Sequence, residues 1–226
     1  MERSYNELTV KELFSSPEHS IAYPLLSRCT YPWEALDYIA DFIREIGMTL
    51  SAEDYEIREG DVYISKKADV APTAYICGPC IICEGAEVRH CAFIRGKAIV
   101  GRGAVVGNSV ELKNCILFDG VQVPHFNYVG DSVLGYKSHM GAGAVTSNVK
   151  SDKTLVTISY NGEKVETGRK KLGAILADNV EVGCNSVLNP GTVIGTRSNV
   201  YPLSSVRGYV PSDSIYKSKE AIVKKR

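Results

Sequence analysis

The sequence lacks several features that would assign a chain to a broad class of function. It has no excess of either charge, because 26 lysine and arginine residues balance 26 aspartate and glutamate residues. Net charge therefore gives no reason to expect a nucleic acid or an anionic membrane as a partner. The sequence also has no apolar run near the roughly 20 residues that span a bilayer. Its polar start does not resemble a signal peptide, so we expect a cytoplasmic protein.

What the sequence does contain is a six-residue repeat. Every sixth residue over a long stretch is aliphatic, and the residue four positions after each of these is small or aliphatic. This period is too short for an amphipathic helix and too long for simple strand alternation, and it is typical of a β-helix whose short strands stack coil on coil. The aliphatic positions of the first stretch are Ile64, Val70, Ile76, Ile82, Val88, Ile94, Val100, Val106 and Leu112.

The repeat is interrupted twice. It resumes at Tyr128 and again at Leu176, which places the first change of register between Phe118 and Tyr128 and a longer insertion at about 147–172. The insertion has an Asn-Gly pair at 161–162 between two strand-like segments, so we predict a β-hairpin that projects as an arm. Insertions in repeat proteins commonly cluster on the working face.

Residues 1–60 follow a helical pattern instead. Pro32 begins a run in which the apolar residues from Leu36 to Ile43 share one face, and Gly47 ends it. We predict an N-terminal helical cap that packs over the first coil, where open strand edges would otherwise be exposed.

The remaining boundaries follow from the repeat. The β-helix is predicted at 61–211 and a tail at 212–226. Ser212 is a candidate N-cap, so the tail is predicted to form a short helix through Ile222 that closes the last coil.

Four of the seven cysteines have a spacing that resembles a metal or iron–sulfur site. In the six-residue frame, Cys80 points inward, whereas Cys77 and Cys83 each follow a buried aliphatic residue. These three thiols cannot converge on one ion, so we expect packing roles and no metal. The odd count without a signal peptide also favours reduced thiols.

Three segments carry a family resemblance. They are residues 106–113, 124–131 and 141–148, which resemble the acetyltransferase half of bifunctional N-acetylglucosamine-1-phosphate uridyltransferases. Residues 167–173 are similar to archaeal-type sugar-phosphate nucleotidyltransferases with the same tail. The resemblance covers about residues 62–210. It implies a mainly β fold, a left-handed parallel β-helix of hexapeptide repeats, and a homotrimer with acyl-transfer sites in the grooves between subunits.

The resemblance also implies roles on the acceptor side. His125 matches the catalytic histidine, a general base for an amine that attacks a thioester, and the backbone amide of Ala142 matches the oxyanion contact. Arg95 and Lys113 match residues that hold the acceptor's phosphate. Their separation of eighteen residues, one full coil of three sides, independently predicts that they stack. Tyr128 matches a residue that contacts the acceptor sugar.

The chain departs from the family pattern at two positions. His139 stands where the family commonly has an asparagine that contacts the acceptor, so the acceptor or its orientation is open, and His139 is an alternative proton-transfer group. Cys184 replaces a serine near acetyl-CoA, and a thiol is a weaker hydrogen-bond donor. The candidate acetyl-CoA contacts are Asn148, Lys153, Arg169, Lys170 and Cys184.

Residues 1–60 do not resemble the nucleotide-binding half of these bifunctional proteins, which opens with a Gly-rich loop. We therefore expect an acetyl-CoA-dependent N-acetyltransferase acting on an amino sugar phosphate, with glucosamine 1-phosphate the leading acceptor and no pyrophosphorylase activity. Two alternatives stay open. One is a noncatalytic β-helix that binds a sugar nucleotide or regulates a separate nucleotidyltransferase, and the other is an acyltransferase with a different acceptor, since the fold alone does not choose.

Overall fold

The computed structural model describes residues 5–225, which form a parallel β-helix with a helical cap. The helices are α1 (Val10–Leu13), α2 (Tyr23–Leu26) and α3 (Ile39–Gly47), with 3₁₀ turns at Asn6–Leu8, Pro17–His19 and Pro32–Asp37. The strands are β1 (Tyr55–Arg58), β2 (Val62–Ser65), β3 (Asp69–Val70), β4 (Tyr75–Ile76), β5 (Cys80–Ile82), β6 (Glu87–Val88), β7 (Phe93–Ile94), β8 (Ala98–Val100), β9 (Val105–Asn108), β10 (Glu111–Leu117), β11 (Gln122–His125), β12 (Tyr128–Leu134), β13 (His139–Met140), β14 (Val145–Thr146), β15 (Thr157–Tyr160), β16 (Glu163–Glu166), β17 (Ala174–Leu176), β18 (Glu181–Val182), β19 (Val187–Leu188), β20 (Thr192–Ile194), β21 (Asn199–Val200), β22 (Ser205–Val206), β23 (Tyr209–Val210), β24 (Ser214–Ser218) and β25 (Ala221–Lys224). Within these residues, no helix has the length and apolar character of a membrane span.

Each coil contributes one strand to each of three flat faces. The first face contains β2, β5, β8, the second half of β10, the second half of β12, β17, β20 and β23. The second face contains β3, β6, β9, β11, β13, β18, β21 and β24. The third face contains β4, β7, the first halves of β10 and β12, β14, β19 and β22. All pairings between successive coils are parallel, so the predicted β-helix is confirmed.

The predicted inward residues form the core. Seven of the nine aliphatic residues of the first stretch are buried, and Val70 and Ile76 in the first coil are half-buried. The inward residues from Leu176 to Val206 are buried as well. The paired strands satisfy the backbone hydrogen bonds while these side chains stack inside. Each six-residue unit therefore provides both backbone pairing and burial of apolar side chains.

The first change of register is not where the sequence placed it. Spacing along the first face falls from eighteen residues, between Cys80 and Ala98, to seventeen, between Ala98 and Cys115, and stays at seventeen to Ser132. One residue is missing from the repeat in β10 and another in β12, where each strand runs straight through a corner. Two sides of the prism therefore have five residues instead of six. As a result Val129 takes the buried position predicted for Tyr128, and the Tyr128 side chain faces outward.

The first face also has an outward apolar row. The six aliphatic residues in the middle of this row have 0% exposure. The cap covers four of them, because α3 packs on β5, β8 and β10 and the 3₁₀ turn Pro32–Asp37 packs on β12. The row consists of Tyr63, Ile81, Ile99, Ile116, Val133, Ile175, Val193 and Tyr209, each paired with the next. A sheet face of this composition needs cover in water.

The predicted cap is therefore helical but lies elsewhere. It runs along the flank of the first face, with Phe14 packed on Phe118 at 4.7 Å between ring centroids and the Ser15 hydroxyl donating to Asp178 at 3.0 Å. The edge of the first coil is closed instead by β1, which pairs antiparallel with β2. The outward apolar row extends over several coils, and the cap follows it.

The insertion forms the predicted hairpin but does not project. β15 and β16 pair antiparallel around Asn161 and Gly162, both with positive φ as a tight hairpin turn requires. Val156 and Ile158 are fully buried against the β-helix, and a Cβ added to Gly191 would lie 2.8 Å from Val156. The hairpin therefore covers the end of the first face that the cap does not reach.

The predicted C-terminal helix is wrong. β24 continues the second face by pairing with β21, and β25 folds back on it antiparallel. Tyr216 occupies the inward position of the repeat and is buried, so the repeat extends one strand further than the sequence indicated. This hairpin closes the last coil.

Val193 and Val187 provide a matched test of the covered face. Both side chains point outward, but Val193 is 0% exposed on the first face and Val187 is 37% exposed on the third. We expect Val193→Ala to lower the free energy of unfolding by about 2 kcal/mol, because it removes buried methyl groups and leaves a space. Val187→Ala should cost less than about 0.5 kcal/mol. Urea unfolding followed by circular dichroism measures both, and equal losses would contradict the assignment.

Candidate functional site

The two predicted phosphate-binding cations lie on successive coils. Ile94 pairs with Leu112, so Arg95 and Lys113, which follow them, stack at the corner between the third and first faces, as their spacing predicts. We call this corner the Arg95 corner. The Arg95 guanidinium donates to Glu111 at 2.6 Å, and the Lys113 ammonium lies 3.6 Å from Asp131. The shortened sides described above place Lys113 and Asp131 at this same corner.

A buried carboxylate organises the next coil. Asp131 accepts hydrogen bonds from the side-chain amides of Asn114 at 2.8 Å and Asn148 at 2.5 Å. The Asn148 amide also donates to the Tyr128 hydroxyl at 3.2 Å. Burial, followed by the charge of Asp131, raises the pKa of Tyr128 above its ordinary value of 10.0. The phenol therefore keeps its proton at neutral pH and remains a hydrogen-bond donor.

A cavity of about 530 Å³ opens at the Arg95 corner. Its charged lining comprises six cations and two carboxylates, namely Arg95, Lys97, Lys113, Arg169, Lys170, Lys171, Asp37 and Asp131. Asn114 lines it as well, and its side-chain oxygen is buried without a hydrogen-bond partner in the described part of the chain. This excess of positive charge suits a phosphate group, which Arg and Lys bind by charge-assisted hydrogen bonds.

Arg169 is held by the cap. Its guanidinium makes a bidentate ion pair with Asp37, at 2.7 and 2.8 Å, and its side chain is 13% exposed. It therefore ties the end of the insertion to the 3₁₀ turn of the cap. Lys170 and Lys171 are exposed and have no ion-pair partner among residues 5–225.

A second group of predicted residues occupies the corner between the second and third faces, which we call the His125 corner. His125 ends β11 and is exposed, and its carbonyl accepts from the Gly143 amide at 3.0 Å. The Ala142 carbonyl accepts from the Asn185 amide at 2.8 Å, and Cys184 is exposed on that coil. His125, Ala142 and Cys184 thus lie on three successive coils. The Ala142 N–H has no acceptor within the described residues.

The remaining predicted residues are His139 and Lys153. His139 is on the second face, where its Nδ1 lies 2.8 Å from a Glu181 carboxylate oxygen. Lys153 is exposed within the insertion. The structure therefore brings Arg95, Lys113, Asn148, Arg169 and Lys170 to one corner, with Tyr128 bonded to Asn148 from the third face, and His125, Ala142 and Cys184 to the other corner.

The third face separates the two corners, and the outward side chain of Tyr128 stands on it. A side has at most six residues, so at about 3.3 Å per residue the corners are less than about 20 Å apart. A ligand that touches both Lys113 and His125 must cross this face beside Tyr128.

Sequence reasoning missed three of the charged residues that line the cavity. Lys97 lies two residues after Arg95, so its place in the repeat was a usable signal. Asp131 closes the motif that contains His125 and was not assigned a role. Asp37 had no local signal, because its contact with Arg169 joins residues 132 positions apart.

Comparison with known proteins gives a family and several relatives. A family model described as the GMPPB C-terminal domain matches residues 76–221. The bifunctional protein GlmU of Methanococcus aeolicus is 33% identical over 196 residues, which are 85% of this chain and 47% of that protein. A bifunctional sugar-1-phosphate nucleotidylyltransferase/acetyltransferase of Sulfurisphaera tokodaii is 37% identical over 97 residues, 43% of this chain and 24% of that protein. The chain spans half or less of the length of these curated relatives.

Solved structures give weaker matches. The acetyltransferase domain of PglB from Neisseria gonorrhoeae, in complex with acetyl coenzyme A, has a TM-score of 0.34 at 16% identity and covers 82% of this chain and 67% of that one. A putative acetyltransferase from Desulfovibrio desulfuricans has a TM-score of 0.38 at 17% identity and covers 80% and 30%. At these values neither structure bears on the chemistry of this chain.

The unpaired lysines predict anion binding at the Arg95 corner. Replacing both Lys170 and Lys171 by Ala should lower the affinity for inorganic pyrophosphate about tenfold, because two charge-assisted contacts are lost. Lys164→Ala is the control, since Lys164 is an exposed lysine of the same insertion outside the cavity. Isothermal titration calorimetry measures the three affinities. Equal affinity in the double variant and the wild type would rule out this anion site.

Proposed function

The chain belongs to the GMPPB C-terminal domain family, and on this premise we propose that it is an N-acetyltransferase that moves the acetyl group of acetyl-CoA to an amino sugar phosphate. Glucosamine 1-phosphate is the leading acceptor. The Sulfurisphaera tokodaii relative is named as both a sugar-1-phosphate nucleotidylyltransferase and an acetyltransferase, which supports acetyl transfer to a sugar 1-phosphate as the class of reaction.

The observation that carries the proposal is the arrangement of polar groups across the third face. The cationic cavity at the Arg95 corner suits the acceptor's phosphate, with Arg95 and Lys113 as its principal contacts. The Tyr128 phenol stands beside the path of the sugar ring. His125 lies at the other corner, where an amine would meet a thioester. An acceptor held by its phosphate at the Arg95 corner would extend across this face toward His125.

The reaction requires a base and an oxyanion donor. The neutral amine attacks the thioester carbonyl, and an imidazole nitrogen of His125 accepts the proton as the new N–C bond forms. The unpaired Ala142 N–H donates to the oxyanion that develops at the carbonyl. The C–S bond then breaks, and the coenzyme A thiolate takes up the proton. His125 and Ala142 lie on neighbouring coils, which suits this division of roles.

The candidate acetyl-CoA contacts fit this scheme unequally. Cys184 is exposed one coil beyond Ala142 and suits a contact near the thioester. Lys153 and Lys170 are exposed cations that suit coenzyme A phosphates. Arg169 is engaged by Asp37, and Asn148 is bonded to Asp131 and Tyr128. We therefore assign Asn148 to the acceptor side and Arg169 to the attachment of the cap.

The proposed assembly is a homotrimer with sites between subunits. Within one chain, His139 lies on the second face, away from the cavity at the Arg95 corner. Contact between His139 and the acceptor therefore requires a neighbouring copy to present it.

A second candidate function is binding of a sugar nucleotide without acyl transfer. It is favoured by Lys97, Lys170 and Lys171, which add three cations to the Arg95–Lys113 pair and suit a ligand with more than one phosphate. Calorimetry separates the candidates, because tight binding of a sugar nucleotide together with no binding of acetyl-CoA would favour this alternative.

His125 provides the most direct test. We expect His125→Ala to lower kcat by about 100-fold or more, because the attacking amine loses its base. His139→Ala is the matched control and should raise the acceptor KM while kcat changes by less than about threefold. Release of coenzyme A thiol from acetyl-CoA with glucosamine 1-phosphate measures both. Sedimentation checks assembly, and unchanged turnover in a folded His125→Ala protein would refute the proposal.

Lys113 tests the phosphate assignment through the choice of acceptor. Lys113→Ala should raise the KM for glucosamine 1-phosphate about tenfold, because a charge-assisted contact is lost. The KM for glucosamine, which has no phosphate, should stay the same. Lys67→Ala is the control, since Lys67 is exposed and paired with Glu84. An equal effect on both acceptors would place the phosphate elsewhere.

A further inference from the structure

Two of the seven cysteines are exposed, Cys91 and Cys184. Burial raises the pKa of the Cys80 and Cys83 thiols to about 12, so both stay protonated and unreactive at neutral pH. Cys115 is also buried. Surface thiol chemistry therefore falls mainly to Cys91 and Cys184.

Cys91 has a histidine within hydrogen-bond distance. Its Sγ lies 3.2 Å from Nε2 of His90, and Nδ1 of the same ring lies 2.7 Å from the Thr73 hydroxyl, one coil earlier. With its hydrogen on Nδ1, the ring donates to Thr73 and presents the Nε2 lone pair to the thiol. A nucleophile, a base and a group that orients the base are thus in contact, which is the general arrangement of an activated nucleophile.

The surrounding chain holds this arrangement in place. The Thr73 hydroxyl oxygen also accepts from the Cys91 N–H at 3.4 Å. The Asn108 side chain, on the next coil, donates to the His90 carbonyl at 3.2 Å. Cys184, by contrast, has no hydrogen-bonded histidine within residues 5–225. The two exposed thiols differ in this respect and serve as an internal comparison.

We propose that Cys91 is a site of covalent modification by low-molecular-weight disulfides of the glutathione type, with His90 as the base and Thr73 as a positioning residue. The thiol proton moves to Nε2 of His90, and the thiolate attacks one sulfur of the disulfide. A new S–S bond forms as the original one breaks. The departing thiolate takes the proton from the imidazolium, so one thiol is released for each Cys91 modified.

The site lies on the His125 corner. Asn108 pairs with His125, and the Asn108 side chain reaches His90, so the histidines are two coils apart. At about 4.8 Å for each coil this is about 10 Å, within reach of a glutathionyl group. An adduct at Cys91 should therefore lower acetyl transfer. This consequence rests on the proposed function, whereas the modification itself does not.

The test compares adduct formation at the two exposed thiols. The protein is incubated with oxidised glutathione at neutral pH, and peptide mass spectrometry follows each cysteine over time. We expect Cys91 to react at least about fivefold faster than Cys184. His90→Asn should reduce the Cys91 rate to that of Cys184. Equal rates in the wild type, or an unchanged Cys91 rate in His90→Asn, would overturn the proposal.

Two further variants examine the positioning role of Thr73. Thr73→Val removes the hydroxyl and should slow modification of Cys91, whereas Thr73→Ser keeps the hydroxyl and should retain the wild-type rate. A purely structural effect would not be restored by serine alone. Equal slowing in both variants would exclude Thr73 from this role.

A separate readout addresses acetyl transfer. Protein carrying the Cys91 adduct is freed of excess disulfide and assayed beside an identically treated Cys91→Ser variant. Lower turnover in the adduct alone supports inhibition, and equal turnover overturns it. Absence of turnover in untreated protein would count against the proposed function and leave the mass-spectrometric result on Cys91 unaffected.

Discussion

The outward apolar row on the first face is the constraint on which the rest of the structure depends. Inward residues are buried by the coiling of the chain itself, but this second row, which includes Ile81, Ile99 and Ile116, has to be covered by something else. The cap covers one part and the hairpin covers another. Because both elements lie on this flank, the second and third faces stay open. The cavity then forms where the cap and the end of the insertion meet the Arg95 corner, joined by the ion pair of Asp37 with Arg169.

The sequence predicted the features of the fold and of the site that depend only on the six-residue repeat. A fixed coil length places Arg95 beside Lys113, and burial at every sixth position defines the core. It did not predict contacts that depend on how insertions fold back. The hairpin looked like an arm because its buried residues, Val156 and Ile158, contact coils that come later in the chain. The tail looked helical because Ser212 resembles an N-cap, although the repeat itself continued into Tyr216.

The two five-residue sides explain why the candidate site contains polar groups that the repeat alone does not predict. Loss of one residue at each of two corners moves Val129 inward and turns Tyr128 outward, where Asn148 and Asp131 hold it. A buried carboxylate such as Asp131 is costly unless it is paired and hydrogen-bonded. Two amide donors and the nearby Lys113 ammonium supply those partners. The same bonds orient the groups that face the cavity. The partners that stabilise the buried Asp131 carboxylate are therefore also the groups that shape the candidate site.

Corner geometry has a comparable effect at the His125 corner. The residue at the bend takes a positive φ on successive coils, at Cys91, Ser109, Phe126, Gly143, Asn185 and Leu203. In this conformation the chain turns sharply and the side chain is directed away from the core, at a cost of order 1 kcal/mol or more for a residue with a Cβ. Phe126 is 62% exposed and Leu203 is 80% exposed for this reason, although both are large and apolar.

The same bend exposes the Cys91 thiol beside His90. Because coils stack in register, each exposed group lies one coil from the next, and the polar groups of this corner, including His125, form a continuous line along its edge. The exposure of side chains at this corner therefore follows from a backbone conformation that these six coils share, while the identity of each corner side chain determines which chemistry the coil contributes.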